Sequence, residues 1–360
     1  MNAPIAPVEH KNLKDVIAII PPSCYENAMW KGLVFAARDM AIYAATIAIL
    51  LSTDRLVFLI PLWIFSGLVV SALFVVGHDA GHHALFKSKR LCDWVGRITM
   101  LPSLHIYAAW QFGHNRVHHG FTVLEGRDFV WHPYSVEDYE KLTPFGKFMH
   151  RLEWSWAGGG IYYLIEVWWK KMFAFKAPAK YVKEFRFDRL FVYGFLGLSA
   201  AALSVYSVAG LGLAGSSAAL YTAWLFFKVV LMPFLLFNYF IGIVVYLHHI
   251  GPELKWHDHG HWSKFRGQME GTMIYRIKPR ILDFFLHKIM IHVPHHVDMR
   301  IPFYHLEEAA EHIKSHFPNV VQDRPLHISD YFHFTRRCKL YDFHTEEWMD
   351  YDKRLAQDQA

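Results

Sequence analysis

Long stretches of this chain carry almost no charge. From Leu56 to Gly77 there are 22 uncharged, mostly apolar residues, enough, at about 1.5 Å per helical residue, to cross a hydrocarbon core of roughly 30 Å. A second uncharged run, Leu190–Phe227, is interrupted by Lys228 and resumes from Val229 to Leu247. Small, turn-forming residues in "AGLGLAGSSA" divide it into two spans. The stretch "GLVFAARDMAIYAATIAILLS" (32 to 52) is apolar apart from Arg38 and Asp39, which suit the interface at a helix start. The pattern predicts four spanning helices in two hairpins, at about 32–52, 56–77, 190–209 and 229–247.

The polar residues fall into three blocks, 1–31, 78–189 and 248–360. Lys and Arg accumulate on the cytoplasmic side of membranes, and of the 37 in this chain only Arg55 and Lys228 fall on the opposite side of that topology. Both termini and all three blocks are therefore expected to be cytoplasmic. Lys228 is expected at the outer end of the fourth span with its ammonium extended to the headgroups. In "IYYLIEVWWKKMF" (161 to 173) aromatics crowd beside Lys170 and Lys171, as in a helix lying in the interface. "LEEAAEHIKSHF" (306 to 317), with acids at its start, reads as a helix of a cytoplasmic cap. No internal repeat, low-complexity tract or long linker separates modules, so residues 1–360 are expected to form one membrane-embedded, all-α domain.

Composition agrees with the pattern: 53% hydrophobic, 17% aromatic and 19% charged residues do not describe two soluble domains. The start "MNAPIAPVEHKNLKD" lacks the apolar core of a signal peptide, so the first span must direct insertion. Cys24, Cys92 and Cys338 are scattered and form no CxxC pair, which indicates neither a disulfide framework nor a zinc ribbon. The net charge of +5 suits lipid headgroups or an acidic protein partner, and nothing in the pattern calls for nucleic acid.

Twenty-five histidines remain to be explained, and many stand in tight groups: "HDAGHH" (78 to 83), "HNRVHH" (114 to 119), "LHH" (247 to 249) and "HVPHH" (292 to 296). His78 and His82, four apart, share one helix face; His83, turned about 100° further, points elsewhere. One such pair is unremarkable surface polarity. Four groups outside the predicted spans, two of them directly at the ends of spans two and four, converge on one membrane face. So many neutral imidazoles would leave lone pairs unsatisfied without a cation, and protonation would set like charges together. Eight or nine ligands exceed what one ion accepts, so two metal ions are implied; imidazole by itself suits zinc, copper, iron or nickel. Ions with open positions at the mouth of an apolar bundle are placed to activate dioxygen against an acyl or alkyl chain.

Two groups strain the helical arithmetic. Pro294 disfavours helix at Val293, so His295 and His296 are expected to open a helix that His292 precedes. On an ideal helix His119 swings about 140° from His114, and Gly120 is expected to end or distort the helix and bring it back.

These residues resemble the integral-membrane fatty acyl desaturases, within the larger superfamily that includes membrane alkane hydroxylases. The family carries three histidine boxes and an isolated histidine after its fourth span. The resemblance is greatest to the ω-6 (Δ12-type) acyl-lipid desaturases, for it extends through "HDAGHHALF", "EGRDFVWHPYSVE", "LHHIGPELKW", "QMEGT" and "HKIMIHVPHHVDMRIPFYHL", covering roughly residues 70 to 345. It implies two non-haem irons held by His78 and His82, by His114, His118 and His119, by His249, and by His292, His295 and His296. No catalytic residue beyond these ligands is implied. His249 is taken over His248 as the second member of the pair before a nearby proline. His83, His248 and His287 are assigned supporting roles, and His105, His132, His150, His257, His259 and His261 surface or local hydrogen-bonding ones.

By the same resemblance the chain is a dioxygen-dependent desaturase of an acyl chain carried on a lipid, coenzyme A or acyl carrier protein. It lacks the HPGG haem-attachment motif, so electrons come from a separate ferredoxin or cytochrome b5. One departure stands out. "HNRVHH" is HxxxHH where the most similar desaturases have HxxHH, a spacing also found in alkane hydroxylases, which leaves hydroxylation, acetylenase activity or terminal-bond formation as alternatives. A histidine-rich metal transporter or haem membrane protein is the reading of another class, but it requires ligands inside the spans, where this chain has almost none.

Overall fold

A computed structural model describes residues 12–356. Four of its helices are long and apolar enough to cross a membrane: Met29–Leu51, Leu56–Gly81, Ala179–Gly210 and Gly215–His249. The second and fourth form the inner pair, with 67% and 56% of their apolar windows buried, against 22% and 17% for the first and third. Close packing of the fourth helix needs Gly242. A Cβ there would stand 2.2 Å from the Gly159 carbonyl oxygen, so only hydrogen lets the two backbones meet.

The helices outrun the apolar runs that foretold them. The second continues through Gly81, carrying His78 out of the apolar segment without a break. The fourth begins at Gly215, not near 229, and passes Lys228 in a wide i→i+5 turn over Phe227–Leu231. Lys228 does not reach for headgroups. It is fully buried, and its ammonium is held by the Asp54 carboxylate at 2.7 Å and the Thr53 carbonyl at 3.1 Å. Trp224 and Tyr221 donate to the same carboxylate, at 2.7 and 3.0 Å. The turn between the first two spans thus clasps the fourth helix, and a paired charge need not end a span. Near the start of the first span Asp39 is buried, bonded to Arg38 at 2.7 Å and to His287 at 2.6 Å.

The clasp is asymmetric in exposure, since the Asp54 side chain is 47% exposed. Asp54→Ala strands a buried ammonium and should cost about 3 kcal/mol, whereas Lys228→Met leaves a carboxylate that water can reach and should cost about 1 kcal/mol or less. Thermal unfolding of the two variants in detergent checks this; equal shifts would contradict it.

Beyond the spans lies a polar layer of short helices. Gly159–Tyr162 runs on as a wide-turned helix, Tyr163–Phe173, that buries Tyr163, Val167 and Met172 and leaves Trp169, Lys170 and Lys171 exposed. Leu306–His316 is a regular helix with Glu307 and Glu308 in its first turn. The cap is not purely helical: Ile274–Arg276 pairs parallel with Asp323–Pro325, and Leu340–Asp342 antiparallel with Glu347–Met349. Cys24, Cys92 and Cys338 are buried free thiols.

Candidate metal centre

The histidine groups meet at the polar ends of the inner helices. His78, His82, His114 and His295 form one set, His118, His249, His292 and His296 another, and within each set the donor nitrogens lie within 4.8 Å of one another. His119 sits where the sets meet. Its Nε2 is 3.2 Å from that of His114 and 3.1 Å from that of His295, while its ring stacks on His296 at 4.4 Å. All nine histidines singled out from the sequence are therefore brought together.

Local winding explains how. His78 and His82 share a face at the end of the second spanning helix, as four-residue spacing requires. In the second box the chain does not follow an α-helix: Gly113–His118 is wound in i→i+5 turns, with His119 N donating to the His114 carbonyl at 2.9 Å. A wider turn sets residue i+5 over residue i, so His119 returns to the His114 face. The winding itself does what Gly120 was expected to do. Gly120 still matters, because a Cβ there would lie 2.3 Å from the Arg116 carbonyl oxygen.

The third box also departs from expectation, since His292 opens the helix His292–Val297 and does not precede it. Pro294 is harmless in a first turn, where the backbone N–H has no intrahelical acceptor to lose. His292 and His296 consequently lie four apart in one set, Nε2 to Nε2 at 3.0 Å, while His295, turned about 100° from His296, serves the other.

Four rings have a fixed tautomer. Nδ1–H donates to Asp79 in His78, to Asp128 in His118 and to the Gly271 carbonyl in His249, each at 3.0 Å, and to Gln268 Oε1 in His296 at 2.7 Å. Each Nδ1 is thereby engaged and leaves Nε2 to face the other rings, the arrangement in which a partner on the outer nitrogen orients a metal ligand. Burial, and next the charge that neighbouring imidazoles would carry, hold His114, His119, His292, His295 and His296 well below the usual histidine range, so all are neutral at pH 7. Neutral rings with facing lone pairs and with buried unpartnered nitrogens, as on His82, His249 and His295, fit cations. Two nitrogens each roughly 2.1 Å from one ion and at right angles to each other stand about 3.0 Å apart, close to the spacings of 3.0 to 3.2 Å seen here.

The supporting groups were the part not read from the sequence. Asp79 also accepts from Phe303 N at 2.6 Å, tying the first box to the segment after the third. Asp128 accepts from Val123 N and Val130 N as well as from His118. Gln268 also donates to the His119 carbonyl at 2.9 Å. Their signal was present, for all three lie inside stretches that carry the family resemblance: "HDAGHH", "EGRDFVWH" and "QMEGT". His248 lies outside both sets, stacked on His292 at 3.6 Å. His83 turns away to Asp93 at 2.9 Å. His105, His150 and His257 are buried, not at the surface, each with a partner: Tyr163, Tyr351 and Glu346.

A narrow apolar cavity ends on this centre. His78, His114, His118, His249 and His292 form one wall, and Phe74, Val75, Ala109, Val167, Ile241 and Val245 much of the rest. Trp110 stacks on His114 at 4.5 Å and closes the corner between them.

The family model for fatty acid desaturases matches residues 55–324. The sn-1 oleoyl-lipid 12-desaturase of Picosynechococcus sp. is 27% identical over 344 residues, 93% of this chain and 92% of that protein. The chloroplastic omega-6 fatty acid desaturase of Arabidopsis thaliana is 27% identical over 311 residues, 86% of this chain and 65% of that one. The sn-1 acyl-lipid omega-3 desaturase (ferredoxin) of Nostoc sp. is 28% identical over 307 residues, 84% of this chain and 80% of the other.

Proposed function

The chain belongs to the fatty acid desaturase family, and from that premise we propose that its nine clustered histidines hold two irons with which it desaturates the acyl chain of a membrane lipid at the expense of dioxygen. It is an oxidoreductase of fatty acyl chains and a membrane protein. The observation that carries the metal reading is the pair of histidine sets facing the end of an apolar cavity.

Two irons bound there would supply the oxidising power that removes one hydrogen from each of two adjacent carbons, with dioxygen reduced to two waters by those two hydrogens plus two electrons and two protons from outside. The protein's own residues do the positioning. Aliphatic and aromatic walls hold the chain extended against the His78, His114, His118, His249 and His292 edges and keep bulk water away. Asp79, Asp128 and Gln268 hold the rings at fixed angles.

The relatives are named for the 12 position and for omega-6 and omega-3 bonds, which favours a bond in the methyl-side half of a lipid-linked chain here too. The ferredoxin in the name of the Nostoc relative favours an iron–sulfur protein as donor. The Lys- and Arg-rich face that carries the histidines is assigned to the cytoplasm, with both termini. Hydroxylation was kept open by the HxxxHH spacing, and the wide turn accounts for that spacing structurally.

Expression with a ferredoxin and its reductase, followed by mass spectrometry of acyl chains, should show loss of two hydrogens; gain of one oxygen would make the chain a hydroxylase instead. Purified protein should contain about two irons per chain and no haem. A single zinc without iron would end the di-iron reading.

A further inference from the structure

A second, wider and more open cavity adjoins the apolar one, and Phe129 and Lys171 line both. Two polar groups on its path lack partners. Lys171, at the junction, is exposed to solvent and forms no hydrogen bond or ion pair among the described residues, so its ammonium is free to take an anion; it only faces the Phe129 ring, at 5.8 Å. Glu153, the last residue of the helix Pro144–Glu153, lines the second cavity and not the first. It is only 7% exposed, yet accepts no hydrogen bond and has no cation within ion-pair distance among the described residues. Burial, reinforced by the nearby Glu166, pushes its carboxyl up to about 7.

A carboxyl this deeply set, facing only the cavity and given no donor by the protein, gains from an incoming donor. The other acids of this wall are already engaged: Glu166 holds Lys170 at 2.5 Å, and Asp128 holds His118. Arg127 is turned onto the Phe121 ring. What remains open is one cation, Lys171, beside the acyl cavity, one carboxyl beyond it, and Arg127, which like Lys171 faces only a ring among the described residues.

Resting on the reading that the substrate is an acyl lipid, we infer that this vestibule binds the head group of a zwitterionic, primary-amine glycerophospholipid, its phosphate at Lys171 and its ammonium donating to Glu153. The order of charges decides the class. Such a lipid carries its anion next to the glycerol and its amine further out, as Lys171 and Glu153 are ordered from the acyl cavity. A purely anionic head group brings Glu153 no cationic N–H to accept. An uncharged one leaves Lys171 without a counter-charge. A quaternary ammonium has no N–H to give the carboxyl.

The test uses the full-length, iron-loaded protein with ferredoxin, its reductase and vesicles of phosphatidylethanolamine, phosphatidylcholine, phosphatidylglycerol or a glycosyl diacylglycerol, all with the same acyl chains. Phosphatidylethanolamine should give the highest kcat/KM. Glu153→Gln should lower the preference for it over phosphatidylcholine about tenfold through KM, the scale of one charge-assisted hydrogen bond. Lys171→Met should raise KM for both phospholipids and leave the iron content intact. Preference for any of the other three lipids, or a preference that Glu153→Gln leaves unmoved, overturns the inference. Turnover of acyl-coenzyme A or acyl carrier protein thioesters with no turnover of any vesicle lipid overturns the acyl-lipid reading itself.

Discussion

Chains carrying His118→Ala or His295→Ala should form no detectable double bond, a loss of well over a hundredfold, because each takes an inward-facing donor from one of the two histidine sets. The effect should be local. His295 stands 3.1 Å from His119 and belongs with His78, His82 and His114; His118 belongs with His249, His292 and His296. Each variant should therefore retain about one iron per chain where the unaltered protein should hold about two. Neither should impair insertion, since the spanning helices do not depend on these side chains. Elemental analysis of protein recovered as a single species by gel filtration, beside acyl-chain mass spectrometry, makes the comparison. Unaltered product formation by either variant would remove that histidine from the ligand set.

The apolar runs made the spans legible, and the residue identities of the boxes made the histidine cluster legible. What stayed hidden depended on partners far away in sequence. Lys228 looked like a span boundary because an unpaired ammonium cannot sit in hydrocarbon; its partner Asp54 is 174 positions away, and no local pattern announces that pair. Asp39 and His287 are a similar case, bonded at 2.6 Å across 248 positions.

The second kind of miss came from assuming one helical pitch. Counting 100° per residue isolates His119, and that isolation suggested another reaction class. With i→i+5 winding the same six residues place all three rings on the centre. Spacing within a box thus reports winding as much as chemistry. Pro294 misled in the same way: it forbids a helix only where the position follows the first turn, and its place in His292–Val297 is within that turn.

Asp128 is the residue whose loss should separate ligand from support. Its carboxylate is buried at 2% exposure and accepts three hydrogen bonds, from His118 Nδ1, Val123 N and Val130 N. Alanine at this position frees the His118 ring to rotate and leaves two buried backbone N–H groups without acceptors. Iron affinity should fall about 10–100-fold, and stability by about 2–4 kcal/mol for the two stranded donors. Asparagine retains one acceptor oxygen but turns an NH2 toward a donor, so Asp128→Asn should fall between alanine and the native residue in both measures. Iron retention during dialysis against a chelator reads the first, and thermal unfolding of the metal-free protein reads the second. A stability loss without weaker iron binding would make Asp128 a loop-building residue only. Weaker binding in both variants, graded in that order, would show that the angle of the His118 ring is set from outside the histidine cluster.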